Sequence, residues 1–143
     1  MKVYLNSPNE NWIVDRFVNE WKKYNKKNYT NFINTSSIVW IISPWTYKKL
    51  SKKALKIKKV LSTIHHIDEN KFDYEEFKKL DEYVNYYHVI SKKTETKLKT
   101  LTNKKIFYAP FWIDSKKWFE MENKNELRRK FNLNEKGYLV GSF

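Results

Sequence analysis

Ile38-Val39-Trp40-Ile41-Ile42, followed at once by Ser43-Pro44, is the stretch that decides the fold. Five consecutive apolar residues, four of them β-branched, make a short run without polar alternation. Such a run reads as a strand buried on both faces, as in a parallel sheet. The serine and proline behind it read as a helix cap and a first helical residue. The next stretch repeats the pattern. Val60-Leu61-Ser62-Thr63-Ile64 is a second strand, and it empties into His65-His66-Ile67-Asp68.

Working outward, residues 2–6 read as an opening strand. Ser7, Pro8 and Glu10 then carry the spacing of a helix start. Ile13, Val14, Phe17, Val18, Trp21 and Tyr24 follow at helical spacing, and residues 29–33 form a weak strand candidate. After Pro44, the apolar positions Tyr47, Leu50, Ala54 and Ile57 predict one continuous helix, with lysines on its other side. Residues 73–84 read as a helix with Asp73 and Glu76 at capping-box spacing. Residues 87–90 are a strand, Ser91 caps a helix with Leu98 and Leu101 inward, and residues 106–108 are a strand. Strands alternating with helices predict an α/β fold, with a mostly parallel, Rossmann-like sheet and flanking helices.

The tail suggests the domain organisation. Residues 125–131 form a short helical pattern, and Gly137-Tyr138-Leu139-Val140-Gly141-Ser142-Phe143 reads as one more buried strand. A lone strand cannot bury itself. Residues 1–114 are therefore expected to form one domain, 115–136 a linker and helix, and 137–143 the first strand of a second domain missing from this chain.

The 143 residues are 41% apolar and 17% aromatic, enough for a real core. There is no cysteine, which excludes disulfides and thiol chemistry. No apolar run reaches membrane-spanning length, and the first residues run straight into a strand pattern. A soluble intracellular protein is the expectation. The net charge of +13 comes almost entirely from lysine, with Arg16, Arg128 and Arg129 the only arginines. Arginine is the better reader of bases and phosphates. The paired lysines also spread along the whole chain, as solvated faces do. Ordinary surface charge ranks first, an anionic membrane surface second and nucleic acid last.

In open α/β sheets, ligands bind beyond the carboxyl ends of the strands. Three loops qualify, at residues 7–11, 43–47 and 65–70. The first has no glycine, so a phosphate-cradling loop is not expected, although its helix start can offer backbone N–H groups to an anion. His65-His66 is the sharpest site. Adjacent residues of an extended segment point to opposite sides, so one of the two faces the cleft. An imidazole there can bond a sugar hydroxyl or phosphate, or transfer a proton near neutral pH. Zinc is a weak reading without cysteine. Trp45 lies beside a lysine stripe, Lys48, Lys49, Lys52, Lys53 and Lys56, which suits either an ordinary surface helix or a membrane-surface one. Arg16 sits one turn into the first helix, on its polar face.

In order and spacing these pieces resemble the N-terminal half of a family 4 (group 1) glycosyltransferase of GT-B architecture. Residues 60–68 resemble its strand and cleft histidine. His88-Val89-Ile90-Ser91 resembles its strand ending in a helix-capping serine. Residues 105–114, through Trp118-Phe119, resemble its interdomain segment. Leu127-Arg128-Arg129-Lys130-Phe131 and the terminal strand resemble the start of its second domain. The chain departs from the pattern at residues 7–11, where the family has a Gly-Gly loop, and at Phe111-Trp112, where it has Asn-Gly.

The resemblance implies sugar transfer from a nucleotide-sugar donor to an acceptor, with retention and usually without a metal or other cofactor. Residues 1–114 would be the acceptor side, and the donor would be held mainly by the missing C-terminal domain. His65 or His66 would lie near the transferred sugar. Asn9, Glu10, Asn11, Arg16 and Trp45 are assigned to the acceptor. The acceptor would be a glycan or a lipid-linked sugar, at the cytoplasmic face of a membrane. The alternative is a non-catalytic basic module that binds anionic membranes or acidic polymers through the lysine stripe.

Overall fold

The computed structural model describes residues 1–116, 122–134 and 136–137. Apart from Gly137, the expected terminal strand lies outside the described residues, as do Trp118 and Phe119. The chain divides into two compact units, Met1–Trp112 and Ile113–Phe143. In the first, β1 (Val3–Asn6), β2 (Ile38–Ile41), β3 (Lys59–Ile64), β4 (Tyr86–Val89) and β5 (Lys105–Tyr108) pair in that order, all parallel. The helices are α1 (Ile13–Tyr24), α2 (Lys52–Ile57), α3 (Tyr74–Asp81) and α4 (Lys92–Leu98). This is an α/β, Rossmann-like fold, as the strand–helix alternation predicts.

Successive residues of β2 feed opposite faces. Val39 and Ile41, both fully buried, belong to a core shared with Leu55, Phe77, Leu80 and Leu98 from the later helices. Trp40 and Ile42 belong to a second core with Leu5, Val14 and Val18. A continuous apolar run is what a two-sided strand requires.

The strand order looks monotonic, but the edge of β1 carries a reversal. Val3 N–H donates to the Asn28 carbonyl (2.8 Å) and Thr30 N–H to the Val3 carbonyl (3.0 Å), forming a parallel bridge at Tyr29. The carbonyls of Lys2 and Asn6 turn the other way, to Ser37 and Ile42 on the β2 side. The chain thus steps outward from β1 to Tyr29, then crosses back to β2. Right-handed crossovers in opposite directions place α1 on one face and α2–α4 on the other. The reversal lies between β1 and β2, where doubly wound sheets open a crevice.

Four local expectations need correction. The weak strand at 29–33 shrinks to the single Tyr29 bridge. Beyond it Thr30 Oγ1 contacts Thr35 Oγ1 (2.6 Å) and accepts from Phe32 N–H (3.2 Å), and a 3-10 turn forms at Ile33–Thr35. Side chains bonding nearby backbone compete with the ladder. Ser7 does not cap α1, which begins at Ile13 with Trp12 in the cap position and no side-chain cap bond. The helix after Pro44 is two pieces, a 3-10 helix Pro44–Lys49 and then α2, capped by Ser51 rather than Ser43. The break resets the helical phase, so Leu55 is buried and Ile57 is 71% exposed. Finally, Asp73 caps α3 by accepting from Glu76 N–H (2.9 Å), but the Glu76 carboxylate turns to Lys48 and Lys79 instead of closing a capping box. Ser91 caps α4 as expected, accepting from Thr94 N–H at 3.1 Å.

In the second unit, α5 (Lys124–Lys130) is followed by Asn132 with φ 53°. Arg128 donates to the carbonyls of Asn134 (2.6 Å) and Gly137 (2.7 Å).

Candidate functional site at the carboxyl ends of the strands

The loop after β1 is built around Asp15. Its carboxylate accepts from the Ser7 hydroxyl, from Asn9 N–H (3.1 Å) and from Glu10 N–H (2.7 Å). Asn9 and Asn11 take left-handed backbone (φ 58° and 57°), which asparagine tolerates better than most residues. Burial pushes the Asp15 carboxyl up, but the bonds from Ser7, Glu10 and Asn9 outweigh it and hold the group below the usual range. The backbone amides that could have met an incoming anion are therefore occupied by the protein's own carboxylate. Asn9, Glu10 and Asn11 are exposed. Arg16 stacks over Phe17, 5.1 Å from the ring centroid, and lies 3.6 Å from the buried Glu20 carboxylate.

The loop after β2 starts with buried Ser43 and is locked by Thr46. The Thr46 hydroxyl donates to the Ser43 carbonyl (2.6 Å) and accepts from Asn6 Nδ2 at the end of β1 (2.7 Å). That lock ties the two loops beside the reversal together. Trp45 stands outward, 54% exposed.

The two histidines after β3 separate as alternation predicts. His66 is exposed, while His65 is half-buried against Phe111, with ring centroids 5.4 Å apart. His65 Nε2–H donates to the Ile42 carbonyl (2.8 Å), which leaves Nδ1 as the acceptor of the neutral ring. Burial lowers its pKa, the carbonyl bond opposes that, and the neighbouring His66 and His88 lower it further. The net shift is downward, so the ring is neutral at pH 7.

His88, on β4, lies next to Thr63 in register and is buried. Trp40 Nε1–H donates to Thr63 Oγ1 (2.9 Å), the Thr63 hydroxyl donates to His88 Nδ1 (3.1 Å), and His88 Nε2–H donates to the Ala109 carbonyl (2.8 Å). This line of bonds crosses three strands and pins the segment leaving β5. Phe111 and Trp112 of that segment then pack on Phe17, Trp40 and His65. Burial lowers the His88 pKa against the pull of the Ala109 bond.

Trp45, Lys48, His65 and His66 line one cavity of about 370 Å³ between the Pro44–Lys49 turn and α3. Asn9 lines a different, more polar cavity of about 230 Å³, together with Asp15, Asn19 and Lys22. Glu10, Asn11 and Arg16 line neither. Of the lysine stripe, Lys48 is ion-paired to Glu76 at 2.7 Å, while Lys49, Lys52, Lys53 and Lys56 are exposed. Sequence reasoning did not single out Trp12, 71% exposed in the β1 loop, or the Thr63–His88 pair. Trp12 lines neither cavity. The Thr63–His88 pair depends on register between strands and had no signal. Among the described residues, no group of three His, Cys, Asp or Glu converges as metal ligands would, and no helix is long and apolar enough to cross a membrane.

No family model, no curated protein and no solved structure matches this chain.

Proposed function

We propose that this chain forms the acceptor side of a retaining glycosyltransferase that moves a sugar from a nucleotide-sugar donor to a glycan or lipid-linked acceptor. The observation that carries the reading is His65. It is a neutral, half-buried imidazole at the carboxyl end of β3, one strand from the reversal between β1 and β2, with its Nε2–H committed to Ile42 at the end of β2. The remaining Nδ1 can accept a hydrogen bond from a sugar hydroxyl and orient it, which is a positioning task. The loops after β1, β2 and β3 supply the acceptor contacts. The donor is held mainly by a second domain, and no metal or other cofactor is required. The enzyme works in the cytoplasm, at the inner face of the membrane.

The test pairs this chain with a donor-binding domain and measures sugar transfer. Replacing both His65 and His66 by alanine is expected to cut turnover strongly, and unchanged kinetics would remove the site assignment. The 143-residue chain alone is expected to transfer no sugar from any nucleotide donor. Transfer by the chain alone would overturn the division of labour.

A second reading is a basic module that binds anionic membranes. Lys49, Lys52, Lys53 and Lys56 are exposed, as are Ile57 and Trp45, the basic and apolar residue types that a lipid surface takes. Cosedimentation with anionic vesicles, lost at high salt, supports it. No binding at low salt eliminates it. Nucleic acid ranks last, because no reader motif accompanies the charge.

A further inference from the structure

We propose that the cavity between the Pro44–Lys49 turn and α3 is a subsite for one uncharged pyranose ring of the acceptor, stacked on Trp45. The inference rests on the glycosyltransferase reading and narrows its substrate. At about 370 Å³ the cavity is at the small end of the range for small-molecule sites, the scale of one ring rather than an extended chain.

Its walls are apolar and largely aromatic. Trp45 and Phe72 line it above a floor of Ile64, Phe77 and Leu80. Phe72 is braced edge-on by Tyr74 at 5.0 Å and tilted against Phe77 at 5.5 Å, so this wall is held in place. Trp45, by contrast, is 54% exposed at the mouth. A large aromatic side chain half out in water, at the edge of an apolar hollow, has surface left to bury on a ligand.

The rim decides the charge of that ligand. Lys48 and Lys71 face Asp73 and Glu76 around the cavity, so the formal charges cancel. Lys48 is the more closely held of the two cations. Lys48 lies 2.7 Å from Glu76, and Lys71 lies 4.0 Å from Asp68. Bonds from Lys48 and Lys79 outweigh the desolvation that opposes them and pull the Glu76 carboxyl down to about 2, so it is ionised at any working pH. An arriving phosphate or acidic sugar meets the carboxylates of Asp73 and Glu76 as well as the two lysines, so the rim offers no net charge to hold an anion. A bare hydrocarbon would strip water from those carboxylates and return no hydrogen bond. A pyranose fits both parts. It offers a C–H face to the indole, and hydroxyls at its edge to the carboxylates and to exposed His66. His65 lines the same cavity, so a ring seated here lies beside the imidazole proposed to orient the sugar.

The test is an NMR titration of the 143-residue chain with uncharged methyl pyranosides, following the Trp45 indole N–H. A saturable Trp45 shift is expected, with the Trp40 and Trp112 indoles unmoved. Trp45→Ala, at a half-exposed position, should fold normally and weaken binding about tenfold or more. Phe72→Leu should weaken it less. Absence of a saturable shift, or equal affinity in Trp45→Ala, overturns the proposal. So does saturation of Trp45 by decyl phosphate or uridine in place of the pyranosides, which would mark a lipid or nucleobase site. Pyranoside shifts at His65 but not Trp45 would sink the subsite and leave the glycosyltransferase reading standing. A Trp45 response together with unchanged turnover in the His65/His66 double variant would keep the subsite and sink the role given to the histidines.

Discussion

Thr63→Val is the most demanding perturbation of the line that holds the sheet to the segment leaving β5. Thr63 is fully buried, accepts from Trp40 at 2.9 Å and donates to His88 at 3.1 Å. Valine keeps the shape and the β-branching but removes the hydroxyl, leaving an indole N–H and an imidazole nitrogen unpaired. A buried polar group left without a partner costs about 1–3 kcal/mol. Trp40 is partly exposed and recovers some bonding from water, so the sum is about 2–4 kcal/mol. For a unit of this size that lowers Tm by roughly 10 °C. Thr63→Ser is the control. It keeps both bonds and loses one methyl group, about 1 kcal/mol. Urea unfolding should rank wild type above serine and serine above valine, with midpoints shifting and the slope unchanged. A valine variant as stable as the serine variant would refute the role given to this line.

Other perturbations probe the site and its frame. His65 and His88 both have pKa values lowered on folding. Each is neutral in both states above about 6.5, and below that the unfolded chain takes up protons first. Stability should therefore be full at neutral pH and fall as pH drops from about 6.5 towards the depressed folded values, by at most about 1.4 kcal/mol per pH unit for each ring. Denaturant titrations at pH 7.0, 6.0 and 5.0, above the carboxylate range, measure this, and a flat profile contradicts the buried neutral rings. Asp15→Ala should release the amides of Asn9 and Glu10 and speed their hydrogen exchange, and unchanged protection would show that the loop holds itself. Ser51→Ala should cost about 1 kcal/mol through its cap on α2, whereas Ser43→Ala should show no capping loss in the same melt. Charge reversal of Lys49, Lys52, Lys53 and Lys56 should abolish any salt-sensitive vesicle binding, while Lys48→Met leaves it nearly intact because Lys48 is already paired.

Much of this was legible because it is local. The apolar run 38–42, the strand before His65 and the caps at Asp73 and Ser91 each depend on residues within a turn or a strand of one another. Periodicity and capping chemistry act at that range, and the alternation they set up leads to a parallel α/β sheet. The misreadings share one cause. Ser7-Pro8-Glu10 has the spacing of a helix start, but Asp15, a turn into the helix, offers its carboxylate to the same hydroxyl and amides. Tyr47, Leu50, Ala54 and Ile57 have the spacing of one helix, but Thr46 is captured by Asn6 from another strand and Ser51 starts a new one.

The sequence by itself determined the fold class, the order of elements and the place of the histidines beyond a strand end. Only the tertiary structure decided that one bridge at Tyr29 reverses the strand order, that Asp15 fills the β1 loop, and that His65 rather than His66 is turned in and held neutral. It also decided that Trp45 and His66 share a cavity with Phe72. The physical reason is range. Helical and strand periods are properties of a segment, whereas partner choice and proton position are set by groups brought together from far along the chain.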